Sequence, residues 1–578
     1  MIWAGGAMIA VAGLLASCRR EETRAIGPAT HTEIRVAKRD HFGLAMQYLF
    51  DLDATRRSSD DAVYHLNRWL LSHEPQTDWQ LDSLVKRLMP ELQAIPEVKR
   101  LERLQFVPSD RAFLEETWWV HSISKEAMNQ PLPPLLDDWI ERQSELTSGD
   151  HQALQEACRM FDWTVRHIYL EPLLNYPRLI TQGPTFGSSE SEKQPTFPSM
   201  RAEPGPGYRF YPLQNLMTGR GDALNRARVM LLLCRQRNLP AFMLGLDPGG
   251  TPRPRPWLCA VLIAKRLYLF DPQLGLPIPG KEPGSVATLD DLRSDAQWPQ
   301  RLVVGNRPYA FADADLSQLV ALIDGSPEYL SRRMAVLEDS LPTRHQMVLT
   351  VRPSRLARQL TQVDPFFGGS GRIRLWNLPF ETAIFQRNLR KYFELHPSQA
   401  QRDMRPLSIL RELPMLHEAR RRHALGWYVD QGKQPGAKTL YLESRTPNEA
   451  LARLPRSRSL QEQWGLERED RESPGQFQAR LQQQINLRRE AKYLASYWLA
   501  LAHYDSGMVD VAVNWFKERT LQAFPQGDLN AGAQYNLARC YELLGQSDQA
   551  IKLLEKTSWP QQHGDRLRAR MLKRAAGR

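Results

Sequence analysis

A mixed α+β core between two helical flanks is the fold class this sequence predicts, and three observations carry it. Residues 31–129 set apolar side chains at helical spacing. Residues 221–271 read as one strongly apolar helix followed by consecutive short strands, the order expected of an α+β unit with an antiparallel sheet. Two segments near the C-terminus align on one another without gaps. Of the 578 residues, 42% are hydrophobic and 24% charged, which excludes a polytopic membrane protein and a uniformly disordered chain. Lys and Arg outnumber Asp and Glu by 76 to 65, and the net charge of +11 favours anionic surfaces without demanding one.

The first element is an address. Residues 1–17, MIWAGGAMIAVAGLLAS, carry no charge and are at the lower limit for spanning a bilayer, so an export segment is the better reading and an uncleaved short anchor the other. Leu15-Ala16-Ser17-Cys18 resembles the lipobox of bacterial lipoproteins. The resemblance implies a mature chain starting at a lipid-modified Cys18, membrane-anchored and facing the periplasm or exterior. One departure is that no Lys or Arg precedes the apolar run. The other cysteines, Cys158, Cys234, Cys259 and Cys540, lie in apolar or helical text with no Cys/His grouping at zinc spacing, so free buried thiols and no metal site are expected.

A helical region covers residues 31–150, with Leu81, Leu84, Val85 and Leu88 at helical spacing and Trp118 and Trp119 assigned to packing. A helix from Leu154 to Tyr169 opens a unit of residues 151–300 and leads into a Gly-, Pro- and Ser-rich loop over 181–207. After it come a helix over Gly221–Asn238 and strands over Leu239–Leu246, Trp257–Ile263 and Arg266–Asp271. Thr288 is a plausible N-cap for a helix beginning with Asp290 and Asp291.

Here the text TGRGDALNRARVMLLLCRQRNLPAFMLG, preceded by ACRMFDWTVRHIYLE and followed by PWLCAVLIAKRLYLFDPQ, resembles the core of the transglutaminase-like superfamily, papain-related cysteine enzymes. The resemblance covers about residues 154–280 and implies a Cys at a helix N-terminus, a His on the next strands and an Asp that orients it. Such a thiolate is stabilised by the helix dipole and the imidazolium, and attacks an amide carbonyl. Carried over position by position, the nucleophile falls on Ala223, the base on Pro256 and the acid on Asp271, so only the Asp matches. Asp-Pro after a strand is also ordinary turn chemistry. Cys234 follows Ala223 by three helical turns, on the same face but at the far end. Cys259 faces away from residue 256 if the strand is regular, and toward it if the register slips by one. A catalytically degenerate, cofactor-free domain is the expectation; a divergent cysteine amidase, protease or transglutaminase with relocated residues is the alternative.

Residues 301–400 read as a mixed or helical connector, in which two helices between Leu316 and Leu360 flank a strand-like run at Gln346–Val351. Residues 401–475 are helical and Arg-rich; Arg420-Arg421-Arg422 reads as a solvated face, and nucleic acid as an unlikely partner. In 476–578, SYWLALAHYDSGMVDVAVNWF and QYNLARCYELLGQSDQAIKLL place Leu499 on Leu537, Ala500 on Ala538, Gly507 on Gly545 and Ala512 on Ala550. This resembles two tetratricopeptide repeats, and implies a groove for a protein or peptide partner or a plain helical brace. A helix over Phe477–Tyr493 and the basic tail Arg566–Arg574 are expected to cap the stack. Together these readings describe a lipid-anchored envelope protein that works by binding.

Overall fold

The computed structural model describes residues 40–50, 59–72, 78–172, 210–249, 253–395 and 405–577. The expected export segment over 1–17, Cys18 and the loop over 181–207 lie outside the described residues. Among the described residues, no helix is long and apolar enough to cross a membrane.

The fold is mixed α+β, 59% helical with a six-stranded sheet. The N-terminal flank is built from α1 (His41–Phe50), α2 (Ser59–Ser72) and α3 (Pro108–Ala127), and Trp119 is fully buried among them. Leu84, Val85 and Leu88 do not form the helix their spacing predicts; only a 3-10 turn, Val85–Arg87, forms before Pro90 starts a new short helix. Helix α4 (Ser148–His167), capped by Thr147, ends in the strand pair β1 (Tyr169–Leu170) and β2 (Arg220–Gly221), so Tyr169 is strand and not helix. Helix α5 (Ala223–Gln236) is capped by Asp222, whose carboxylate accepts the Asn225 N–H at 2.9 Å.

The main sheet joins β3 (Ala241–Leu246), β4 (Arg255–Ile263), β5 (Arg266–Asp271), β6 (Leu276–Pro277), β7 (Leu319–Ile323) and β8 (Ile373–Leu375) in the order β6-β5-β4-β3-β7-β8. All neighbours are antiparallel except β7 and β8. The expected strands form, and Thr288 caps its helix in a capping box with Asp291. The connector departs from expectation. Leu319–Ile323, read as helix, is a fully buried strand next to β3, because LVALI is too short and too apolar to show either period. Gln346–Val351 forms no strand between α6 (Arg332–Ser340) and α7 (Pro353–Val363); Gln236 instead clamps Val348 through both its N–H and its C=O.

The C-terminal part contains α8 (Pro414–Ala424), α9 (Pro474–Asp505), α10 (Asn530–Leu543), α11 (Ser547–Lys556) and α12 (Gln562–Ala575). Helix α9 runs 32 residues without interruption, so the expected capping helix and the first paired helix are one element. Gly507 and Gly545 both turn at positive φ, 78° and 71°, and Ala500, Ala512, Ala538 and Ala550 are all fully buried where helices meet. The Arg420-Arg421-Arg422 run is not solvated: the three are 3, 4 and 8% exposed, with guanidinium groups over Trp498, Trp118 and Trp427. One apolar cluster runs from α1 through α4, α5 and one face of the sheet into α9 and α10. A second fills the opposite face with Trp257, Trp298 and Tyr309, and Leu567 of α12 enters it.

Candidate functional site

Ala223 is the first residue of α5, where the backbone offers its unpaired N–H groups. The residue is 7% exposed, and its methyl group offers no nucleophile. Pro256 stands on β4, but the strand is not regular: Leu244 pairs with Leu258 while Gly245 pairs with Pro256, leaving Trp257 as the extra residue of a bulge. The bulge restores Cys259 to the helix side of the sheet, where its Sγ lies 4.0 Å from the Ala227 carbonyl. This corrects the regular-strand expectation that Cys259 points away from residue 256.

Turning toward the helix does not activate the thiol. Cys158, Cys234, Cys259 and Cys540 are all free and buried. Burial pushes Cys234 and Cys540 up to about 12, and raises Cys158 and Cys259 well above the ordinary thiol value. None is a thiolate near neutral pH. Among the described residues no cysteine is hydrogen-bonded to a histidine.

Asp271 is not aimed at Ala223. Alternation along β5 sends Tyr268 and Phe270 to the α5 side and Leu267, Leu269 and Asp271 to the other. There the Asp271 carboxylate accepts the N–H groups of Gln273 (2.7 Å) and Leu274 (3.0 Å) and the hydroxyl of Tyr309, which itself accepts the Trp257 indole N–H at 2.8 Å. Burial raises its pKa to about 6, against the opposing effect of the Tyr309 hydrogen bond. The turn reading of Asp271 accounts for its two backbone contacts, and the Tyr309 hydroxyl occupies its second carboxylate oxygen. Of the three matched positions, two share a face and the third lies on its back.

Beside Pro256 a cleft of about 710 Å³ opens, walled by Leu224, Pro256 and Trp376 and rimmed by Arg87, Arg253, Arg255 and Arg374. Glu381 pairs with Arg253 at 3.0 Å and Asp247 with Arg374 at 2.6 Å, while Arg87 and Arg255 stand exposed. The cleft is positive.

A second concentration of polar groups lies where α4 meets the C-terminal helices. Arg226, fully buried one turn into α5, donates to the carbonyls of Ile168, Pro272 and Val165 and to Gln561 from the approach to α12. Further along the seam, Arg166 bridges Asp162 and Asp505 at 2.9 Å each, Arg539 meets Asp162 at 3.0 Å, and Arg568 holds Glu542 through two hydrogen bonds. Burial alone lifts the Asp162 pKa, but the attraction of Arg539 and Arg166 outweighs it, and the carboxyl sits below its ordinary value.

Two imidazoles complete this seam. His167 Nε2 and His423 Nε2 each lie 2.9 Å from Asp505 Oδ2. Trp163 stacks on His167 with 4.1 Å between ring centroids, and Tyr441 O–H meets His423 Nδ1 at 3.1 Å. The three side chains bring their donor atoms within 4.8 Å of one another, a spacing that could hold a metal ion. Nothing local in the sequence signals it, because the three residues come from helices distant in the chain; the one shared feature is position, since each ends or nearly ends its helix.

No protein-family model matches this chain, and no curated protein or solved structure is significantly similar to it.

Proposed function

We propose that this chain is a cell-envelope binding protein, held to a membrane by lipid on Cys18. In this reading its α+β unit is a transglutaminase-like core without catalytic power, and its C-terminal helices are tetratricopeptide-like repeats packed against that core. The observation that carries the proposal is the arginine-rimmed cleft at Pro256, which Leu224 walls one residue after the Ala at the helix position where the resembling enzymes carry their nucleophile. A surface of that kind suits a protein or peptide partner rich in carboxylates.

Titrating the full chain into a labelled oligoglutamate peptide and following fluorescence anisotropy tests this. Binding that weakens about tenfold in R87E/R255E, a loss of about 1.4 kcal/mol, and that fades with added salt is the expected result. Absence of binding by the wild-type chain refutes the proposal. Incorporation of labelled palmitate, lost in Cys18→Ser, checks the anchor.

The second reading is an amidase, protease or acyl transferase with a relocated cysteine, and the β4 bulge favours it by turning Cys259 toward α5. Amide hydrolysis or acyl transfer that disappears in Cys259→Ser would establish this reading against the first.

A further inference from the structure

The seam between α4, α8 and α9 places the C-terminal ends of three helices together: His167 is the last residue of α4, His423 the last but one of α8, and Asp505 the last of α9. Helix C-termini carry the negative end of the peptide dipole, so their convergence creates a site that favours a cation. We propose that His167, His423 and Asp505 bind one divalent transition-metal ion of the zinc class. This inference stands apart from the binding proposal and uses none of its residues.

Four observations point there. The donor atoms His167 Nε2, His423 Nε2 and Asp505 Oδ2 all lie within 4.8 Å of one another, and the two N···O separations are 2.9 Å. An ion with bonds of roughly 2.0–2.2 Å to nitrogen and oxygen needs donors roughly 3.3 Å apart for tetrahedral geometry, so little movement admits it.

The hydrogen bonding around Asp505 is unequal. His423 Nε2 is aligned on Asp505 Oδ2, whereas His167 Nε2, an equally near ion-pair contact, misses hydrogen-bonding alignment. His167 is 2% exposed, so water does not serve that nitrogen from bulk.

The outer partners are those a ligand set requires. Arg166 Nη1 holds the free Asp505 oxygen at 2.9 Å, Tyr441 meets the second nitrogen of His423, and Trp163 fixes the plane of His167.

Beside the two imidazoles lies a cavity of about 10 Å³, the size of one water, bounded by Glu126, Trp163, His167, Arg420, His423 and Tyr428. A water there would give an ion held by the three side chains its fourth ligand. Two imidazoles select zinc, cobalt or nickel over magnesium and calcium, which take oxygen donors.

The test uses the full chain, stripped with chelator and dialysed against Zn²⁺ or Co²⁺. The expected result is one equivalent of metal by elemental analysis, a Co²⁺ spectrum with ligand-field bands and no thiolate charge-transfer band, and a metal-dependent rise in Tm. His423→Gln and His167→Gln, both of which keep an amide near Asp505, should each weaken metal binding roughly 100-fold while leaving the metal-free far-UV circular dichroism unchanged. Should one variant fail to fold, the other and the wild-type stoichiometry still decide. A wild-type chain that retains no metal, a thiolate band in the cobalt spectrum, or full binding in both variants overturns the assignment.

Discussion

The start of α5 and the seam at the ends of α4, α8 and α9 are opposite in almost every respect. At the first, a helix N-terminus offers its positive end to a methyl group, and the nearby thiol is sealed among apolar side chains. At the second, three helix C-termini meet a crowd of buried arginines, histidines and carboxylates. Local sequence resemblance points to the first and is silent about the second. The buried ionic chemistry of this protein has collected where segments distant in sequence are pressed together, and there it holds the α+β unit to the C-terminal helices.

The largest test of that contrast is Asp505→Ala in metal-free protein. It leaves Arg166 and two imidazoles facing an apolar gap, and urea unfolding should show a loss of about 3–5 kcal/mol. Cys259→Ser, at the other region, should cost far less; equal losses would erase the distinction. Gly564→Ala comes next. A Cβ there would lie 1.8 Å from the Leu274 carbonyl oxygen, so α12 must shift off the sheet, with a loss of about 1–3 kcal/mol in the same measurement.

Proton linkage separates two buried aspartates by sign. Asp271 has its folded pKa raised to about 6 from 3.8, so its burial costs nothing below pH 3.8 and destabilises increasingly as pH climbs to 6. Asp271→Asn keeps an acceptor for the Gln273 and Leu274 N–H groups, and its stability relative to wild type should rise by on the order of 3 kcal/mol between pH 3.5 and 7. Asp162 is shifted downward, so its contribution is present above pH 3.8 and is lost as the medium is acidified. Asp162→Asn should therefore lose most at neutral pH and least in acid. Two parallel pH profiles would mean that the two carboxyls are not shifted in opposite directions.

The smallest effect is expected from restoring the matched chemistry. Ala223→Cys with Pro256→His should label with iodoacetamide no faster than a plain buried thiol, because Asp271 stands on the far face and cannot orient the new imidazole. Fast, pH-dependent labelling in peptide mass spectra would show that the α5 crevice can still assemble a triad.

Features fixed within a few residues were legible in the sequence. Strand β5 spans the expected residues, Thr288 caps its helix, and Gly507 and Gly545 turn at positive φ. What escaped depends on partners elsewhere. LVALI carries no period of its own and is a strand only because β3 and β8 flank it. The β4 bulge, which decides where Cys259 points, is visible only in the register against β3. Arg420-Arg421-Arg422 looks like a wet surface until Trp498, Trp118 and Trp427 arrive to cover it. Ala223 and Pro256 lie on one side of the sheet and Asp271 on the other, so matching letters do not guarantee a shared face.

Helix α12 lays Leu567 into the apolar cluster on the far face of the sheet, while Gln561 just before it answers Arg226 beneath α5. A chain emerging in order from a ribosome or a translocation pore makes the sheet long before it makes this cover. Until Gln561 and the residues after it are delivered, Arg226 lacks one of its acceptors and the far face of the sheet lacks the cover of Leu567.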